Sequence, residues 1–236
     1  MTTPHLAPEW FTTVAQVDTP TICNALELAL GVRQATGFTY GTPVAAPAPL
    51  PAIVGYARTL RFGAAHPSKL AAPEALAQRV AYFRYVRPSE GRPVILVMED
   101  TDDRPGIGSY WGEVNSTVHQ ALGVQGVLTN GSVRDLDMLA PGFPIIAGSI
   151  GPSHGHAHIV DFDVPVNVFG LDIKPDDLLH VDRHGAVIIP AELAADLPRC
   201  IQLMIAKEAP ILAAARRPGF SIEDIERALK ESADIH

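Results

Sequence analysis

Cysteine is scarce in this 236-residue chain: Cys23 and Cys200 are the only two, far apart and in no CxxC pair. That excludes a disulfide framework and a cysteine-ligated zinc site, and it suits a reducing compartment. Positive charge is also in short supply, with 18 Lys and Arg against 26 Asp and Glu and a formal charge of −8. Such a balance opposes a phosphate backbone, so broad nucleic-acid binding is not expected, although a local basic patch is compatible with it. No stretch reaches the ~18 apolar residues of a membrane span. Met1-Thr2-Thr3-Pro4-His5 lacks the basic region and apolar core of a secretion signal. The expectation is a cytoplasmic protein without a membrane or nucleic-acid partner. Internal repeats at a period of roughly 20 to 50 residues are missing too, which removes solenoids and propellers.

What remains is ordinary globular composition, 47% hydrophobic and 19% charged, enough for one large domain with a substantial core. The one skew is proline, at 21 residues. Val17-Asp18-Thr19-Pro20 reads as a helix start, because a capping side chain precedes a proline with its φ already set; the helix runs to about Leu30. Four prolines between Pro43 and Pro51 predict a semi-extended arm. Val54 to Phe62 reads as a partly buried strand. Glu74 to Val86 reads as a helix burying Leu76, Val80 and Phe83, and Val94 to Met98 as a buried strand. From Glu113 to Leu122, the positions Val114, Thr117, Val118, Ala121 and Leu122 predict a one-faced helix ending near Gly123. Short strands are expected at 126–129, 144–147, 164–169, 178–181 and 186–189. Ser221 to Asp224 resembles a capping box opening a helix with Ile222, Ile225 and Leu229 as its buried stripe. The order of elements points to a mixed α/β layered domain.

Three stretches carry candidate chemistry. Glu99 to Gly106 is rich in acids, but an EF-hand starting at Asp100 needs Glu at its twelfth position and finds Trp111; a solvated loop after a strand is the plainer reading. His154, His156 and His158 would share one face of an extended segment and hold a metal. Gly151-Pro152 and Gly155 favour a loop instead, so metal binding, substrate gating, a subunit contact and a plain exposed loop stay open. The third is a pair: Tyr110 to Asn115 and Thr129 to Asp135, each between a strand and a helix. Each presents the free N–H groups of a helix start, which attract carboxylates and phosphates. Arg134 offers a planar fork for a carboxylate, and Asp135 is a hard oxygen ligand for magnesium or manganese. If the two stretches converge, one pocket holds an anion clamp, a metal carboxylate and a second acid, Glu113. The blander reading is a helix-dipole Glu and a surface ion pair.

Gly112-Glu113, Gly123, Gly126 and Gly131-Ser132-Val133-Arg134-Asp135 resemble the family that contains the 4-hydroxy-4-methyl-2-oxoglutarate aldolases and the regulator of ribonuclease E activity (RraA-like). Twenty residues separate Glu113 from Arg134, the family's acid-to-Arg-Asp spacing. Pro175 to Pro190 resembles its second signature, and the likeness covers roughly residues 15 to 210. It implies a β/β/α layered, swivelling-domain-like fold with a helical C-terminal extension: residues 1–15 as an N-terminal extension, 16–210 as the aldolase domain and 211–236 as a helical tail. It implies a homotrimer or homohexamer.

The resemblance also implies a class II lyase that cleaves a 4-hydroxy-2-oxo acid to pyruvate and a second oxo compound, with oxaloacetate decarboxylation as a side activity. Asp135 would hold Mg2+ or Mn2+, and Arg134 would bind the substrate carboxylate. The backbone of Gly112, Glu113, Val114 and Asn115 would complete that site. Glu113 would reach the metal through water and assist proton transfer. Glu113 stands where the family's aldolases carry Asp, and Asn130-Gly131 where they carry Asp-Gly. An acid from the neighbouring subunit is also expected, with Glu208 as one match. The alternative the family offers is a non-catalytic protein that binds and regulates a ribonuclease. A methyltransferase reading is discounted, because no Gly-rich strand-to-helix loop suits a nucleotide-type methyl donor.

Overall fold

The computed structural model describes residues 6–41, 43–47, 50–89 and 92–235. Helices α1 (Pro8–Val14) and α2 (Thr19–Leu30) open the chain, followed by strands β1 (Val44–Ala46) and β2 (Ile53–Gly63). Helix α3 (Ala72–Val86), strand β3 (Val94–Asp100), helix α4 (Glu113–Ala121) and strand β4 (Val124–Thr129) alternate after them. Short strands β5 (Ser132–Val133), β6 (Ile145–Ala147) and β7 (Ser149–Ile150) lead to β8 (His158–Phe162). Two hairpins follow, β9 (Val166–Val168) with β10 (Leu171–Ile173) and β11 (Leu178–Asp182) with β12 (Gly185–Ile188). Helices α5 (Ala191–Ala194), α6 (Leu197–Ala215) and α7 (Ile222–Ala233) come last.

The main sheet runs β1-β6-β4-β3-β2-β11-β12, with β8 also on β2. Strands β2, β3, β4 and β6 are parallel to their neighbours in that run, and the flanking pairs are antiparallel. Strand β2 is the spine: its first residues pair with β11, its last with β8, and its other edge with β3. Side chains alternate along it. Leu60 and Phe62 pack with Tyr82 and Val86 of α3. Val54 and Tyr56 pack with α1, α2 and α6. Ile53 and Ala57 turn to the opposite face, where Val166, Val168, Leu171 and Ile173 of the β9–β10 hairpin cover the sheet. Helices, sheet and hairpin thus form the three layers of a β/β/α arrangement. Fully buried Leu60, Leu96, Met98, Leu128 and Ile145 each contribute on the order of 1.5–3 kcal/mol over exposure.

The structure corrects several expectations. Strand β2 is buried almost throughout rather than partly, because both its faces are covered. In the proline-rich arm, Val44–Ala46 is an edge strand paired with β6; Thr42, Ala48 and Pro49 lie outside the described residues. In α3 the buried residues are Tyr82 and Val86, while Leu76 is 64% exposed. Helix α4 buries Ser116 and His119 and leaves Val114 out. The Ser221–Asp224 capping box is present. However, Ile222 and Leu229 are exposed and Ala228 is the buried residue of α7. Among the described residues, no helix is long and apolar enough to cross a membrane.

Candidate active site

The two stretches converge. Trp111 pairs with Val133 in a parallel bridge, and the N–H of Arg134 donates to the Trp111 carbonyl at 2.9 Å. Full burial of the Trp111 ring, in contact with His119 and Phe143, anchors this junction. The next residue, Gly112, caps α4 in an extended conformation with no side chain to offer. Asp135 supplies the missing acceptor from across the gap: its Oδ2 accepts the Glu113 N–H at 3.2 Å. A carboxylate is favoured there by the helix dipole. A Cβ on Gly112 would lie 2.4 Å from that oxygen, so any larger residue forces the Asp135 carboxylate to move. Arg134 Nε lies 3.6 Å from Asp135 Oδ2, both side chains about one-third exposed. Asp135 Oδ1 accepts no hydrogen bond among the described residues. Asp135 itself adopts φ 54°, ψ 43°, the left-handed region that Asp and Asn tolerate better than most residues.

Helix α4 is held from below by His119 and Ser116, whose polar atoms are bonded. His119 Nδ1 lies 2.6 Å from the Asn115 carbonyl, which can only accept, so Nδ1 carries the proton. Nε2 then accepts from the Tyr82 hydroxyl at 2.6 Å. Burial pushes the His119 pKa down to about 4, keeping the ring neutral. Burial also raises the Tyr82 phenol and pushes Tyr110 up to about 12. Ser116 Oγ donates to the Glu113 carbonyl and accepts from the Ala140 N–H. Asn115 Nδ2 donates to the Tyr110 carbonyl at 2.6 Å, while its buried Oδ1 has no partner among the described residues.

A cleft of about 410 Å³ opens beside this junction, lined among others by Arg79, Ser109, Val114, Asn115, Arg134, His154 and His158. Of the residues singled out in the sequence, Val114, Asn115 and Arg134 line it. Gly112, Glu113 and Asp135 are not in its wall but adjoin Val114 and Arg134, which are, and Glu113 is exposed. His154 and His158 line the cleft with Nδ1 bound to backbone carbonyls, and His156 does not reach it. Among the described residues, no group of three or more His, Cys, Asp or Glu could hold a metal ion. The acidic loop is a brace: Asp102 Oδ2 accepts from the N–H groups of Ala64 and Ala65, and Asp100 Oδ2 from Gly106. Burial raises the Asp100 pKa. Asn130 clamps the Asp100 backbone with both halves of its amide, accepting from N–H at 2.7 Å and donating to C=O at 3.2 Å. An ionised Asp at 130 could not make the second bond. Sequence reasoning missed Arg79, which sits on the α3 face turned to the cleft; no local motif marks it.

Comparison with known proteins gives the family and the fold. A protein of Xanthomonas campestris pv. campestris, whose name proposes a 4-hydroxy-4-methyl-2-oxoglutarate aldolase, is 32% identical over 117 residues, covering 47% of this chain and 65% of that protein. An uncharacterized protein of Methanocaldococcus jannaschii is 34% identical over 103 residues, covering 41% of this chain and 48% of its own. The match thus spans less than two thirds of each of these relatives. A crystal structure from Streptomyces coelicolor, described as an unusual member of the RNase ES inhibitor RraA protein family, superimposes with a TM-score of 0.64. It has 23% identity and covers 91% of this chain and 99% of the other, which supports the fold. The model of the RraA-like family, described as Aldolase/RraA, matches residues 19–188, and the chain belongs to that family.

Proposed function

We propose that this protein is a divalent-metal-dependent lyase that cleaves a 4-hydroxy-2-oxo acid to pyruvate and a second oxo compound, and that decarboxylates oxaloacetate as a side reaction. The observation that carries this reading is the meeting of Arg134, Asp135 and the α4 N-terminus across Gly112, at the edge of an open cleft. The residues fit a magnesium-type ion, which keeps several waters and takes only one or two protein carboxylates. Asp135 Oδ1 would hold Mg2+ or Mn2+, with Glu113 one water further out. Such an ion, when bound, supplies Lewis-acid stabilisation of the charge that develops as the carbon–carbon bond breaks.

This chain's own groups do the rest. Arg134 presents its outer guanidinium N–H groups to the substrate's C1 carboxylate, a fork suited to that geometry. The N–H groups of Val114 and Asn115 lie in the first turn of α4, where no intrahelical acceptor exists, and complete the carboxylate site. Glu113 is exposed at the same helix end and accepts the 4-hydroxyl proton through a water. We extend the proposal to the assembly: a homotrimer or homohexamer, with Glu208 on the exposed side of α6 as the neighbour's acid, built on a catalytic core of residues 16–210 and working in the cytoplasm.

Purified protein with Mg2+ or Mn2+ is expected to release pyruvate from 4-hydroxy-4-methyl-2-oxoglutarate, 4-carboxy-4-hydroxy-2-oxoadipate or oxaloacetate. Arg134→Ala should lower kcat/KM at least a hundredfold, and chelation should abolish turnover. An inert wild type on all three substrates ends this reading. Capture of a ribonuclease by that inert protein would establish the regulatory alternative.

A further inference from the structure

Of the two arginines that line the cleft, Arg134 has its part in the proposed chemistry and Arg79 has none. Arg79 lies on α3 and lines the same cleft as Arg134, and its Cζ sits 5.7 Å from the centroid of the Phe83 ring one turn along the same helix. That stacking restrains a side chain that otherwise ranges freely. Arg79 forms no ion pair with a carboxylate among the described residues, whereas Arg58, Arg61, Arg199 and Arg227 all do. Among the described residues, no Asp or Glu lines the cleft either. In a molecule of formal charge −8, this wall therefore carries two guanidinium groups and no carboxylate. Val114, Ala157 and Ile159 line the same cleft with apolar side chains suited to a carbon skeleton. A volume of about 410 Å³ is ample for a small acid, since ligand clefts run roughly 300–1,000 Å³.

Resting on the reading in which Arg134 takes the C1 carboxylate, we infer that Arg79 anchors a second carboxylate at the far end of the substrate. Arg79 is then the residue by which this chain distinguishes dianionic from monoanionic 2-oxo acids. A monoanionic 2-oxo acid would leave Arg79 unpaired and gain nothing from it.

The test is calorimetric binding of two unreactive probes, 2-oxoglutarate with two carboxylates and 2-oxobutyrate with one, to the Mg2+-loaded wild type and to Arg79→Met and Arg79→Lys. Arg79 is exposed on its helix, and unchanged thermal unfolding will show that the variants fold. Wild type should bind 2-oxoglutarate at least tenfold more tightly than 2-oxobutyrate. Arg79→Met should erase that preference by weakening only the dicarboxylate, and Arg79→Lys should restore part of it. Equal weakening of both probes, no change in either, or a wild type without preference overturns the inference. A preference that depends on Arg79 in a protein that releases no pyruvate leaves the anchor standing and removes the lyase reading instead.

Discussion

At the scale of single residues, the site turns on a steric vacancy. Gly112→Ala puts a methyl group 2.4 Å from Asp135 Oδ2, which must swing away from the α4 N-terminus. The expected result is a loss of turnover of about a hundredfold, the order that a misplacement near 1 Å costs, with the fold retained by circular dichroism. Asp135→Asn makes a complementary prediction. Asn tolerates the left-handed backbone as Asp does, so thermal stability should hold while metal-dependent pyruvate release disappears. A variant that keeps its activity would remove Asp135 from the metal. Sequence reading reached these residues because their types are chemically marked: an acid, a guanidinium and a glycine between strand and helix. It did not reach Arg79, whose place in the cleft wall depends on where α3 lies relative to β5, a long-range placement that no spacing encodes.

His119 belongs to the same scale, and its protonation affects the whole fold. Its pKa falls to about 4 through burial, against about 6.5 in an unfolded chain. Between those values the unfolded state binds the extra proton, so the stability present above pH 6.5 is lost as pH falls towards 4. The loss is on the order of 3 kcal/mol for this group. Burial lowers the His180 pKa too, adding in the same direction. Denaturant unfolding at pH 7.0, 5.5 and 4.5 measures the slope. His119→Phe should flatten it, and an unaltered slope would show that other groups set it.

Among the elements, strands were more legible than helix faces. The runs 94–98 and 126–129 are apolar because both faces are covered, and a run of that kind announces itself. Helix positions were equally clear where caps stood at their starts: Asp18 Oδ1 accepts the Thr21 N–H at 3.0 Å, as its place before Thr19-Pro20 implies. Asp18→Ala should therefore cost about 1 kcal/mol, read as a shift in the urea midpoint at constant slope. Helix faces were misread for one recurring reason. Periodicity assumes that apolar side chains go inward, yet α4 buries Ser116 and His119, whose polar atoms are fully bonded. That frees Val114 to stand 64% exposed at the cleft mouth. In α3, Tyr82 turns inward for the same hydrogen bond and carries Leu76 outward.

For the whole molecule, those outward residues bear on assembly. Leu76, Val80 and Val114 are exposed on α3 and α4, the two helices that frame the cleft, and a subunit contact there would cover them. If the proposed trimer or hexamer forms across them, Leu76→Asp should yield monomers in sedimentation, and activity should fall with assembly because the neighbour's acid is withdrawn. A monomeric wild type would dismiss the proposed assembly and leave the site within a single chain.

The double pairing along β2 also governs how the chain is made. Residues 53–63 pair at one end with β8, where Arg61 meets Asp161 100 positions later, and at the other with β11, later still. At roughly 5–20 residues per second, a ribosome leaves that edge bare for several seconds after β2 emerges. Until β8 and β11 arrive, a long apolar strand has open hydrogen-bonding groups and can recruit another nascent copy. The strand that organises the finished sheet is thus the segment most exposed to misassembly during synthesis, and its closure has to wait for residues near 180.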